Sequence, residues 1–206
     1  MERTYYGFNT SQDIIHLQTK YTLFKRVANI VFTTVVENGF DRALMTDAIN
    51  KVIERNDCLR ITFARKDGQI VQYFEPQREI GRIRQVEFTK AKQFDEFIRK
   101  FRRGKIDPFK GETLKVVFAS NHDGSDVIIY KISHYVADTY GIGVLLTDIF
   151  AVYNALKKGD ALPPAPGSFE EVLKKELPGK NDKEARDRDR QFFENYYRNV
   201  HSEPPL

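Results

Sequence analysis

Residues 128–144, IIYKISHYVADTYGIGV, set the organisation of this 206-residue chain. Val127, Ile128, Ile129 and Ile132 make an apolar run dense in β-branched side chains, which reads as a buried strand. The run ends at Ser133-His134. Asp138 stands four residues on, and Gly141 and Gly143 punctuate the start of a helix. That helix shows as a stripe of Ile142, Leu145, Leu146, Ile149, Tyr153 and Leu156 at helical spacing, stopped by Lys157-Lys158-Gly159. Asp138 or Thr139 is its expected cap. A strand that delivers a histidine into a turn, with an aspartate close behind, is a common way to hold a site on a rigid support. The His-x-x-x-Asp spacing alone is a weak pattern, so its meaning depends on the flanking chain.

Upstream, Thr113–Ser120 and Asp126–Ser133 read as two strands around a loop containing Asp123-Gly124, close enough in sequence to be antiparallel neighbours. Before them, Lys90–Arg103 is an amphipathic helix through Phe94, Phe97, Ile98 and Phe101, closed by Gly104. Ile83–Phe88 is a further short strand. Leu59–Ala64 and Gln69–Phe74 flank Lys66-Asp67-Gly68, a hairpin signal. Leu44, Ala48, Ile49, Val52 and Ile53 mark a helix running to about Asn56, with Asp41 as its cap and Phe40 as a staple onto Met45. Ala28–Val36 is a strand ended by Asn38-Gly39, and Thr10–Lys20 a short helix with Thr10 or Ser11 at its cap. Downstream, ALPPAPG (residues 161–167) excludes helix and central strand and is a connector. Two helices follow, Phe169–Glu176 and Lys183–Val200, and the closing HSEPPL reads as a cut at a boundary. Strands and helices in this order predict an α/β fold with a mixed, largely antiparallel sheet flanked by helices, not a doubly wound parallel one. There is no Gly-rich phosphate loop, which speaks against P-loop or Rossmann nucleotide binding.

Bulk properties narrow the function classes. Hydrophobic residues make up 41%, ample for one core. No apolar run approaches a membrane span, and MERTYYGFNTSQ is too polar for a signal peptide, so a soluble cytoplasmic protein is expected. The single cysteine, Cys58, excludes an internal disulfide and reads as a small buried hydrophobe. The net charge is +4 with a pI near 9, and the basic charge is mostly interleaved with acids, as in KNDKEARDRDR. The one dense cation cluster, KFRRGK at residues 100–105, reads as a helix end rather than a nucleic-acid patch. No zinc-finger, KH or RNP pattern accompanies it. His122 falls in a surface loop, and His16 and His201 have no partner constellation and no metal-ligand spacing.

Together these blocks resemble the N-terminal half of the condensation domains of nonribosomal peptide synthetases, members of the chloramphenicol-acetyltransferase-like superfamily. RNDCLRITF (55–63) is similar to the family's RHExLRTxF segment, with Arg60 on its arginine. IDPFKGETLKVV (106–117) is similar to the lead-in to the motif strand, and SHYVADT (133–139) to the HHxxxDG signature. Two positions depart from the signature: Ser133 replaces its first histidine and Thr139 its glycine. Related acyltransferases keep only HxxxD, and ring-closing domains of fungal synthetases carry a Ser-His form.

The resemblance implies one lobe of a two-lobed acyltransferase. Residues 1–160 would form the N-terminal lobe, and 161–206 a connector and terminal helices leading to a C-terminal lobe. It implies amide formation between thioesters carried on phosphopantetheine arms of acidic carrier proteins, with no directly bound cofactor, no metal, no nucleic acid and no membrane. His134 would be the catalytic histidine, and Asp138 a structural acid paired with Arg60. Asp138→Ala should therefore harm folding more than chemistry. Ser133, Thr139 and Gly141 occupy motif positions without an assigned role. The backbone N–H groups near Gly141–Gly143 either face an anion or thioester oxygen, or the glycines allow close packing. The chain alone should be inactive. Competing expectations are a degenerate, non-catalytic interaction module with the same fold, and a stand-alone acyltransferase using coenzyme A or another carrier-linked donor.

Overall fold

The computed structural model describes residues 3–22, 28–180 and 182–198. In chain order its elements are α1 (Thr10–Tyr21), β1 (Asn29–Val36), α2 (Arg42–Arg55), β2 (Ile61–Lys66), β3 (Gln69–Phe74), β4 (Arg84–Glu87), α3 (Ala91–Arg103), β5 (Leu114–Ser120), β6 (Asp126–Ser133), α4 (Thr139–Lys158), α5 (Phe169–Lys180) and α6 (Lys183–Arg198). The expected helix end at Val200, and His201, lie outside the described residues.

Four strands make one sheet in the order β1-β6-β5-β4. β6 is central and pairs antiparallel with β1 (Asn29 opposite Ser133) and with β5 (Leu114 opposite Ile132), while β4 runs parallel to β5. The expected α/β class with a mixed, largely antiparallel sheet is what forms. Helices cover both faces. Ile128, Tyr130 and Ile132 of β6 join Met45, Ile49 and Val52 of α2 and Ile142, Ile149 and Val152 of α4 in the main core. Val127 and Ile129 face the other way, toward Phe94, Phe97 and Phe101 of α3. A strand covered on both sides has no solvent face, which is why its sequence lacks alternation.

Lys131 interrupts that run, and its side chain falls on the α3 face. Its Nζ donates to the carbonyl oxygens of Phe101 and Gly104 and lies 4.3 Å from the centre of the Phe101 ring. It thus caps the carboxyl end of α3, where a cation is favoured by the helix dipole. Burial pushes its pKa down to about 8, with Lys115 adding to the shift; Lys115 sits directly opposite on β5.

The hairpin forms as expected. Asp67 (φ 51°) and Gly68 (φ 76°) make a two-residue turn with both φ values positive, the geometry that suits twisted antiparallel strands. β2 and β3 form a separate two-stranded sheet, bridged by Tyr6 opposite Gln72. Leu59 and Arg60, expected in the strand, belong instead to a 3-10 turn at Asp57–Arg60 that turns the chain between α2 and β2.

The caps sharpen the helix starts. Asn9, not Thr10 or Ser11, caps α1. Its side chain accepts from Gln12 N at 2.9 Å while Gln12 Oε1 accepts from Asn9 N at 3.1 Å, a reciprocal capping box. Asp41 caps α2 through the N–H groups of Ala43 and Leu44, and Phe40 packs edge-on against Phe118 at 5.1 Å. α4 has the length and composition of a bilayer-crossing segment, contrary to the expectation that no run approaches one. Its buried stripe packs on α2 and the sheet, as a core helix does. α5 also docks on the core. Its N–H groups at Phe169 and Glu170 bond the Asp57 carboxylate at 2.8 and 3.0 Å, and Leu173 is fully buried. α6 buries no residue, and Phe192, Phe193, Tyr196 and Tyr197 are exposed along it. Cys58 is half-buried, with its thiol pushed up to about 12 by burial, so it is packed rather than poised as a nucleophile.

Candidate active site

The register of the sheet delivers His134. Ser133 ends β6 fully buried, and its N–H bonds Thr113 O at 2.8 Å. His134, one residue on, bonds Ala28 O through its N–H at 2.7 Å, at the start of β1. The next step of the turn is closed by Val136 N–H on Ser133 O at 3.1 Å. The His134 backbone is therefore fixed between the ends of two strands. The residue is half-buried, and its imidazole makes no hydrogen bond to another described residue. Both ring nitrogens are left for an incoming group, one as donor and one as acceptor when the ring is neutral.

His134 opens onto a cleft of about 440 Å³ shared with Asp138, Gly141, the first turn of α1 and Phe169 at the start of α5. Ile14, Ile15, Val136, Ala137 and Phe169 make its wall largely apolar, and Ser11 and Gln12 add polar groups. Such a lining suits a small reacting group held beside a few polar side chains. Among the described residues no group of three or more His, Cys, Asp or Glu side chains could hold a metal ion. A larger cleft of about 890 Å³ lies between α1 and the hairpin and contains His16 but not His134.

Asp138 works as the N-cap of α4. Its Oδ1 accepts from Gly141 N at 2.7 Å, and its carbonyl from Ile142 N at 2.9 Å. That bond occupies the Gly141 N–H, so this group does not face the cleft as an anion donor. Close packing does not require the glycines either. A Cβ at Gly141 would meet Ala137 and Asp138 at 3.4 Å, an ordinary contact, and one at Gly143 would meet nothing within 4 Å. Thr139, the first residue of α4, is exposed. The Ser133 hydroxyl is buried without a hydrogen-bond partner among the described residues.

The expected Arg60–Asp138 pair does not form. The Arg60 guanidinium donates to the carbonyl oxygens of Glu75 and Pro76, holding the 3-10 turn to the end of β3. Asp138 is exposed and engaged with its own helix. The ion pair that ties α4 to the RNDCLRITF segment is Arg55–Asp148, with Nη2 to Oδ1 at 3.3 Å and side chains only 10% and 14% exposed. Asn56 Nδ2 bonds the second Asp148 oxygen at 3.2 Å. Arg55 opens the RNDCLRITF block, but Asp148 lies on α4 outside every motif position, so only the packing of α2 against α4 reveals the pair.

Sequence reasoning also passed over Gln12. Its Nε2 bonds the Tyr135 carbonyl at 3.1 Å, next to His134. The signals in the sequence were the N-terminal TSQ (residues 10–12), which falls in the order the resemblance expects, and the Asn9-x-x-Gln12 capping pattern; neither says anything about the histidine loop. The Tyr135 ring packs on Phe8 and Phe63 at 5.6 and 5.1 Å, and its hydroxyl lies 3.4 Å from His16 Nδ1. Burial raises the Tyr135 pKa.

Comparison with known proteins places the chain. It is 25% identical to bacitracin synthase 3 of Bacillus licheniformis over 154 residues, 74% of this chain and 2% of that protein. It is 23% identical to gramicidin S synthase 2 of Brevibacillus brevis over 161 residues, 77% of this chain and 3% of that one. The starter condensation domain of the rhizomide synthetase superposes with a TM-score of 0.81 at 20% identity, covering 98% of this chain and 49% of that one. The first condensation domain of the CDA synthetase gives 0.79 at 15% identity, covering 98% and 52%. The chain thus spans a small fraction of the synthetases it matches and about half of the solved domains. The condensation-domain family model matches residues 4–203, nearly the whole chain, and the chain belongs to that family.

Proposed function

We propose that this chain is the histidine-bearing half of a condensation domain that joins an acyl thioester to an amine. Residues 1–160 form its N-terminal lobe, and 161–206 lead to a second lobe that closes the cleft. Both substrates ride on the phosphopantetheine arms of carrier proteins, in the cytoplasm. The observation that carries this reading is the placement of His134: its backbone is clipped between two strand ends, and its unbonded imidazole faces an apolar cleft. The family match around it supplies the reaction class.

The chemistry follows from the imidazole. An α-amino group has a pKa of about 8 and is largely protonated near neutrality. A neutral His134 accepts the proton that the amine loses as it attacks the thioester carbon. The resulting imidazolium can return that proton to the departing thiolate, so the amide forms and the thiol leaves with no net change at the histidine. Such general-base help is worth roughly a hundred- to ten-thousandfold. Asp138 supports the loop by starting α4, through the bond its Oδ1 accepts from Gly141 N–H.

The test joins the chain to the second lobe of its longer protein, and compares wild type with His134→Ala in a thioester-to-amide assay. A loss of at least a hundredfold is expected. Equal rates would refute the role of His134, and amide formation by the isolated chain would refute the need for a second lobe. A second reading, a degenerate interaction module, draws on the buried, unpartnered Ser133 hydroxyl and the absence of the Arg60–Asp138 pin. It predicts no amide formation even with both lobes present.

A further inference from the structure

Gln12 is joined to the His134 loop by a buried amide network that neither the capping box nor the chemistry above requires. Gln12 is 2% exposed and Gln72 fully buried. Their side-chain amides bond reciprocally, with Gln12 Nε2 to Gln72 Oε1 at 2.9 Å and Gln72 Nε2 to Gln12 Oε1 at 2.7 Å. The second Gln72 proton goes to Gly7 O at 2.8 Å, and the second Gln12 proton to Tyr135 O at 3.1 Å. Gln12 Oε1 also accepts from Asn9 N at 3.1 Å. Every donor and acceptor of the Gln12 amide is engaged, so the group has one orientation: a flipped amide would set acceptor against acceptor at Tyr135. Among the described residues this is the only side-chain hydrogen bond to the backbone of residues 134–137. On the other side the loop is held by His134 N–H on Ala28 O.

We infer that Gln12 is a positioning residue for His134: through the Tyr135 carbonyl it holds the Tyr135–Val136 peptide, and so the turn that carries the imidazole into the cleft. The significance for chemistry rests on the proposed role of His134, but the positioning itself does not. Freeing the Tyr135 carbonyl would leave that peptide held on one side alone, by Val136 N–H on Ser133 O, and a misplacement near 1 Å costs on the order of a hundredfold in rate.

The test separates positioning from plain structural support. Gln12→Met and Gln72→Met each destroy the reciprocal amide pair, but only Gln12→Met releases Tyr135 O. Histidine ring nitrogen and carbon signals are followed by NMR across pH in the 206-residue chain, with the His134 resonance assigned by His134→Gln and stability measured by denaturation. The expected result is a moved His134 signal and titration in Gln12→Met, and an unmoved one in Gln72→Met at a similar loss of stability. Equal effects in the two variants, or an unmoved ring in Gln12→Met, would overturn the inference. Gln12→Glu, which keeps the acceptor and removes both donors, should behave like Gln12→Met. The wild type gives a readout that needs no variant: the Gln12 side-chain N–H protons should exchange with solvent as slowly as the backbone amides of β6, and fast exchange would overturn the link. In the two-lobed enzyme Gln12→Met should lower kcat on the order of tenfold to a hundredfold with little change in KM. If His134→Ala keeps full activity while Gln12→Met still moves the ring signal, the catalytic reading fails and the positioning stands.

Discussion

Removing the acid next to the histidine should cost less stability than removing Asp148, further along the same helix. Asp138→Ala deletes one exposed cap hydrogen bond, to Gly141 N at 2.7 Å. Loss of such a cap costs about 1 kcal/mol. Asp148→Ala removes the partner of Arg55, whose side chain is only 10% exposed, and also the acceptor of Asn56 Nδ2. The guanidinium keeps the Pro164 carbonyl, but its Nε is already buried without a partner. Stranding a buried cation in this way costs about 3 kcal/mol. With a urea slope of about 2 kcal/mol per M, the two losses shift the unfolding midpoint by about 0.5 M and about 1.5 M. Two controls sharpen the comparison. Asp138→Asn or Asp138→Ser should be close to wild type, since those residues cap as well as Asp. Arg55→Met with Asp148→Leu should recover much of the single-variant loss, because an apolar pair of similar volume removes the stranded charge. Urea unfolding of the purified chain, followed by circular dichroism, is sufficient. A midpoint shift for Asp138→Ala equal to or larger than that for Asp148→Ala would refute this assignment and revive a structural ion pair at Asp138.

Lys131 and Gly111 give two further outcomes. Lys131 has its pKa lowered from 10.5 to about 8 in the folded chain, so between those values the unfolded chain binds the extra proton and the native state gains stability as pH rises. The stability difference between wild type and Lys131→Met should therefore shift in favour of wild type from about pH 8 to about pH 10, and a flat or opposite trend in pH-resolved denaturation would refute the desolvation of this cation. Gly111 (φ 73°) and Gly124 (φ 83°) both adopt the left-handed region, but a Cβ at Gly111 would lie 2.5 Å from Arg78 Nη2, while one at Gly124 meets nothing within 4 Å. Arg78 cannot yield easily because it is bonded to Leu59 O, Ile61 O and Thr62 Oγ1. Gly124→Ala should cost about 1 kcal/mol and Gly111→Ala at least twice that by denaturation; equal costs would refute the steric part.

Most of the fold was legible in residue order, and the physical reasons are local. β6 announced itself because a strand buried on both faces has to be apolar at nearly every position. Asp67-Gly68 announced the hairpin because a two-residue turn needs positive φ at both positions, and Asp41 announced the start of α2 because the first N–H groups of a helix lack partners. The His134 turn was legible for the same reason, since the strand's apolar run ends abruptly at Ser133. The sequence by itself thus determined most of the strands and helices, the α/β class and the turn that carries His134. Only the tertiary structure decided which groups meet. It sent Arg60 to two carbonyl oxygens instead of Asp138, paired Arg55 with Asp148 across α2 and α4, and brought the Gln12 amide to the loop beside the histidine. Element identity depends on neighbours a few residues away, whereas polar partnership depends on how helices rotate and sheets stack, and chain spacing holds no record of that.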